Sequence, residues 1–78
     1  MVPRDEWSGL CKAFGASVRR RREELDLTQE GLGFRADLDR TYVSGIERGV
    51  RNPTLKIIGR LAKALAIKPS KLLAAAGE

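Results

Sequence analysis

Arg40, Thr41, Ser44, Gly45 and Arg48 share one side when residues 39 to 48 are wound as a helix at 3.6 residues per turn, and Val43, Ile46 and Glu47 share the other. The first side carries no apolar side chain. Arginine can give two hydrogen bonds to a guanine edge, hydroxyls donate or accept, and glycine removes bulk where a backbone meets base or phosphate. A solvated helix face has the same composition, so this pattern alone leaves both readings open. Gln29 sits at the start of a preceding helix, where unpaired amides can hold a phosphate. Arg51 and Asn52 follow in a loop that can meet the same backbone, positioning without reading bases. Glu47 projects with Val43 and Ile46, so its carboxylate needs a partner, and Arg22, one turn beyond Val18, is the leading candidate. One carboxylate without a second acid, base or metal ligand does not make a catalytic site.

The chain has 78 residues, 15 Lys and Arg against 10 acids, a formal charge of +5, no histidine and one cysteine. Such a length is one domain's worth, best stabilised by helices with many local contacts. The composition excludes an intrachain disulfide, a Cys/His zinc site and imidazole catalysis. Gly31 and Gly33 fit no nucleotide-binding spacing. No catalytic residue, metal or cofactor is therefore expected. Acids near the start (Asp5, Glu6) argue against a signal peptide, no apolar run is long enough to span a bilayer, and a cytoplasmic location is expected. The basic balance points weakly toward a polyanion.

Periodicity divides the chain into five short helices. The first runs from about Ser8 to Leu25, with Leu10, Phe14 and Val18 on one face. Thr28 caps a helix over Gln29 to Arg35, and Asp39 caps one over Arg40 to Arg48, with Leu27 and Leu38 placed as hydrophobic staples. Ala36-Asp37-Leu38 is so short a connection that the two helices turn sharply against each other. Gly49 stops the third helix. Thr54 caps a fourth bearing Leu55, Ile58, Leu61, Ala62 and Leu65, and Pro69 opens a fifth with Leu72 and Leu73. In the run Arg19-Arg20-Arg21-Arg22, Arg19 to Arg21 read as a solvated face balanced by Glu23, Glu24 and Asp26.

Leu27-Thr28-Gln29-Glu30, the run from Leu38 through Arg40-Thr41-Tyr42 to Gly49, and Arg51-Asn52-Pro53-Thr54-Leu55 resemble the Cro/CI-type (XRE) helix-turn-helix family over roughly Phe14 to Leu73. The run LDRTYVSGIERGVRNPT looks most like the restriction–modification controller proteins of that family. The resemblance implies an all-α, five-helix, lambda-repressor-like fold with its helix-turn-helix at helices 2 and 3. It makes residues 1–78 a single DNA-binding domain, with 1–13 extending the first helix. It implies phosphate clamping by Gln29, base or nearby phosphate contacts from Arg40, Thr41 and Ser44, a groove-edge place for Tyr42, backbone contacts from Arg51 and Asn52, and an internal ion pair between Arg22 and Glu47.

This chain departs from the family pattern at Gly31 and Gly33, which cost about 1 kcal/mol each relative to alanine unless Gly33 lets the helices pack closer. It departs again at Arg21, where the family favours an aliphatic residue. Trp7 is expected to pack against the lengthened first helix. The implied function is sequence-specific binding of double-stranded DNA as a homodimer on a palindromic operator, with Ile57, Leu61, Leu72 and Leu73 as the expected dimer surface. A protein-interaction module of the antitoxin type, binding a partner protein as well as DNA, is the alternative. A membrane role for residues 54 to 66 is discounted, because their apolar face is needed for the core.

Overall fold

The computed structural model describes residues 4–77, with side chains from Ser8 to Ala76. The regular elements among them are five helices: α1 (Arg4–Glu24), α2 (Gln29–Ala36), α3 (Arg40–Glu47), α4 (Leu55–Ala64) and α5 (Pro69–Gly77). The side chain of Trp7 lies outside the described residues. α1 is the axis on which α3 and α5 pack, and α2 bridges α3 and α4.

Side-chain oxygens begin three of the helices. Thr28 Oγ1 accepts from the Gly31 amide (2.9 Å), Asp39 Oδ2 from the Thr41 amide (2.9 Å) and Thr54 Oγ1 from the Ile57 amide (3.2 Å). Each satisfies one of the amides that a helix leaves without an internal partner. The ends of α1 to α4 share one closing device. A left-handed residue (Asp26, Asp37, Gly49 or Ala66) reverses the chain, and the amide after it returns to a carbonyl five positions back, as Leu38 does to Gly33 (2.8 Å) and Val50 to Gly45 (3.0 Å).

Every helix contributes to one core. Val18 comes from α1, Leu32 from α2, Val43 and Ile46 from α3, and Leu72 from α5. Leu61 within α4 and Leu65 just beyond it complete the set; all seven are at most 1% exposed. Burial of each is worth about 1.5–3 kcal/mol. Two of the four residues expected at a dimer surface, Leu61 and Leu72, are thus interior, because α2 and α5 pack against α4 and α1 packs against α5. Two expected core residues go the other way. Leu55, the first residue of α4, is 78% exposed, and Leu10, on the turn of α1 before Phe14, is 50% exposed.

Arg21 is not part of a solvated run. Its Nε donates to the Leu65 carbonyl (3.0 Å) and an Nη to that of Ala66 (3.3 Å), so it closes the end of α4 as no aliphatic side chain could. Leu25 packs against the core beside it. Arg60 does the same for α2, donating to the carbonyls of Ala36 (3.1 Å) and Asp37 (2.7 Å). Both cations also complement the negative end of a helix dipole.

Ala66 holds a φ of 52°, where a Cβ crowds the following carbonyl and costs about 1–2 kcal/mol. Ala66→Gly removes that strain at the expense of extra freedom in the unfolded chain. Urea unfolding is expected to show a net gain of about 0.5–1 kcal/mol, with an unchanged denaturant slope.

Candidate nucleic-acid interface

The position of α3 is set by an internal polar network. Arg22 Nε donates to Glu47 Oε2 (2.6 Å) and an Nη to Oε1 (2.9 Å), a two-pronged pair whose side chains are 12% and 4% exposed. The other Nη of Arg22 donates to the Leu27 carbonyl (2.8 Å), and Gln29 Nε2 donates to Glu47 Oε1 (3.1 Å). The hydrogen bond with Glu47 holds the Arg22 guanidinium above its already high usual value, so it stays cationic at every working pH. This network ties α1, the α1–α2 loop and α2 to the end of α3. It also turns Gln29 inward to Glu47. Gln29 was expected to reach outward to a phosphate, but Glu47 offers it a charged acceptor within reach, and a hydrogen bond to a charge is stronger than a neutral one.

Two close approaches fix α3 further. A Cβ on Gly15 of α1 would be driven into the carbonyl oxygens of Ile46 and Glu47, and one on Gly33 would lie 2.5 Å from the Leu38 carbonyl. Gly33 is thus what permits the tight α2–α3 turn, and its helix-propensity cost is the cost of that geometry.

The side of α3 turned from the core carries the expected residues in unequal states. Arg40 is exposed and Ser44 is half-buried, so neither is occluded by the chain. The Thr41 hydroxyl is occupied by the Asp39 carboxylate. Arg48 is exposed, with Nε within 3.4 Å of Ser44 Oγ. Gly45 departs from expectation. It is not open but buried, because Arg51 from the next loop lies over it. The Arg51 guanidinium continues across the half-buried Tyr42 ring, 5.5 Å from its centroid. Asn52 is exposed and faces elsewhere, into a shallow apolar groove with Leu10, Cys11, Phe14, Pro53, Ile58 and Leu73. The half-buried Cys11 belongs to that groove. Of the expected dimer residues still at the surface, Leu73 is 39% exposed and Ile57 half-buried.

Residues 27–53 hold four arginines and four acids, yet three of the acids are engaged by the protein's own groups, and Glu30 is left exposed. Glu47 faces Arg22, Asp37 Oδ2 is 3.2 Å from Arg60, and Asp39 caps α3. Arg40 and Arg51 carry their charge outward, with no ion pair among the described residues.

Glu47→Ala strands Arg22 in a nearly dry site, and breaking a buried pair from one side costs about 3–5 kcal/mol. Chemical denaturation is expected to show that loss, and the joint Arg22→Met, Glu47→Leu variant to recover most of it. The Thr41 hydroxyl, and next its amide, hold the Asp39 carboxyl below the usual carboxylate range. A lowered folded value means the cap contributes fully above the unfolded value, about 3.9, and fades as pH falls through the lower folded one. An NMR titration of the Thr41 amide is expected to show a midpoint below about 3.9; a midpoint at or above it would remove the capping role.

Residues 18–72 match the helix-turn-helix family model. The chain is 48% identical over 61 residues to the control protein C.BamHI of Bacillus amyloliquefaciens, covering 77% of this chain and 75% of that one. It is 38% identical over 64 residues to the HTH-type transcriptional regulator y4dJ of Sinorhizobium fredii, covering 82% and 83%. The crystal structure of the restriction–modification controller protein C.AhdI from Aeromonas hydrophila superposes with a TM-score of 0.78 at 47% identity, over 80% of this chain and 94% of that one. With a matching model over most of its length and relatives of this closeness, the chain belongs to the helix-turn-helix family of transcriptional regulators.

Proposed function

We propose that this chain is a sequence-specific regulator that binds double-stranded DNA as a homodimer, in the manner of a restriction–modification controller protein. The observation that carries this reading is the outward side of α3. It has no apolar side chain, presents an exposed Arg40, and is braced from behind by the Arg22–Glu47 pair. In this reading Arg40 reaches a base edge in the major groove, where a guanine offers two acceptors to one guanidinium. Ser44, Arg48 and Arg51 supply further donors to bases or phosphates, and the α2 start faces the backbone.

A single module of this size buries little nucleic-acid surface. Two copies about a twofold axis set two α3 helices about 34 Å apart, in successive major grooves. The dimer surface proposed now excludes the buried Leu61 and Leu72. It keeps Ile57 and Leu73 and adds the exposed Leu10, which shares the apolar groove with Leu73. Lysines of α4 and α5 add attraction at longer range.

Selection of bound sites from a pool of random duplexes tests this directly. It is expected to return two related half-sites, and binding is expected to weaken steeply with salt as phosphate contacts release counterions. Arg40→Ala should lose about 1–3 kcal/mol and relax preference at one base position per half-site. Lys68→Ala should shift the affinity for all duplexes together or not at all. Recovery of no sequence preference by the parent protein would end the proposal.

A further inference from the structure

Gly45 projects away from Val43, nearly half a turn round α3, and a helix residue so placed is ordinarily open to solvent. It is buried because the side chain of Arg51 lies flat on it. A Cβ at position 45 would stand 2.8 Å from Arg51 Cγ, 3.2 Å from Nε and 3.6 Å from Cδ. The stem of Arg51 therefore occupies the place of a missing side chain. Its guanidinium then meets the face of Tyr42, at a distance where a cation is drawn to an aromatic ring. The turn that delivers it is fixed as well. Gly49 takes a φ of 76°, its amide donates to Ile46 (3.0 Å), and the Val50 amide donates to Gly45 itself (3.0 Å). A loop arginine is thus laid on the outward side of α3 with its charge unneutralised by any carboxylate among the described residues.

We propose that Gly45 and Tyr42 are positioning residues that seat Arg51 on the outward side of α3 for a contact with a hydrogen-bond acceptor of duplex DNA. The proposal rests on the duplex-binding reading above. In it, Gly45 is absent bulk for the protein's own arginine rather than for the nucleic acid. Arginine has a long and freely rotating stem, and ordering it before binding removes a cost that association would otherwise carry. The acceptor is a phosphate oxygen or a guanine edge, both of which suit the planar guanidinium.

Gly45→Ala is the decisive variant. Alanine is the better helix former, so the fold is expected to persist, and a circular-dichroism melt at or above that of the parent establishes this. In the NMR spectrum, the Arg51 methylene protons should lose the ring shift that Tyr42 imposes. For a duplex selected from the random pool by the parent protein, affinity is expected to fall about tenfold, the size of one good charged contact. The same change made in an Arg51→Ala background should alter affinity by less than about twofold, since the seat then has no occupant. Tyr42→Leu should follow the same pattern, weakening the parent and leaving Arg51→Ala unchanged.

Arg51→Ala alone identifies the acceptor. A uniform loss over all duplexes marks a phosphate, and lost preference at one base marks a guanine. If Gly45→Ala binds as the parent does, or loses the same factor with Arg51 absent, the seat is overturned. A Tyr42→Leu loss that persists without Arg51 overturns the part given to Tyr42. Failure of the parent to enrich any duplex is a different result, and it strikes the duplex-binding reading instead.

Discussion

The Glu47 carboxylate sits at the end of α3 and accepts from Arg22 twice and from Gln29 once, while Arg22 also holds the Leu27 carbonyl. One buried anion thereby fixes three helices and a loop. Among the described residues no buried side-chain polar atom is left without a partner, which is the condition under which such a network is tolerable in an interior. A hydrophobic replacement could match its stability, so its distinctive contribution is angular: a bidentate pair holds two helices in one relative orientation, where aliphatic contacts allow them to slide. An outward surface made of a few donors needs that constraint, because hydrogen-bonded reading of a base edge fails when the donor is displaced by an ångström.

Much of the scaffold is local and was legible for that reason. Thr28, Asp39 and Thr54 announce helix starts by chemistry that acts within three residues, and Gly49 announces a stop in the same way. Val18, Val43 and Ile46 follow from periodicity, and the need of Glu47 for a cation follows from its place between them. What escaped is non-local. Arg21 and Arg60 close helix ends 44 and 24 residues away in the chain, and nothing in their neighbourhood marks a guanidinium as a cap rather than a solvated charge. Leu72 and Leu73 are adjacent and identical in type, and which of them α1 covers depends on how α5 rolls against it. The Ser17 hydroxyl donating to the Leu72 carbonyl (3.0 Å) is part of what sets that roll.

The outward side of α3 shows the same limit at the site itself. A helical wheel assigns each residue a direction but is blind to what other segments lay across it. Arg40, Ser44 and Arg48 keep the exposure the wheel gives them, at least in part, whereas Gly45 is roofed by Arg51. Gln29 is drawn inward by an acceptor eighteen residues away. In both cases the deciding partner is a charged group brought near by a turn, and turn geometry is the part of a short sequence hardest to foresee in three dimensions.

Net charge is an equally poor guide here, for a reason the ion pairs make plain. Residues 27–53 sum to zero, which taken alone speaks against a polyanion partner. Two of the four anions of that segment are matched by cations from outside it: Arg22 of α1 meets Glu47 and Arg60 of α4 meets Asp37. Asp39 spends its charge on the amide and hydroxyl of Thr41 at the start of α3. A charge paired at about 3 Å presents only a dipole at a distance, and its field falls off far faster than that of a lone charge, within the screening length of ordinary salt. Arg40 and Arg51 have no such partner among the described residues and are felt outside as full charges. The segment is neutral by count, but toward solvent four exposed arginines without an ion pair among the described residues (Arg35, Arg40, Arg48 and Arg51) outweigh the exposed Glu30. Arginines from the flanking helices pair with Glu47 and Asp37, and that division of labour leaves the arginines on the outward side of α3 free to attract an anion.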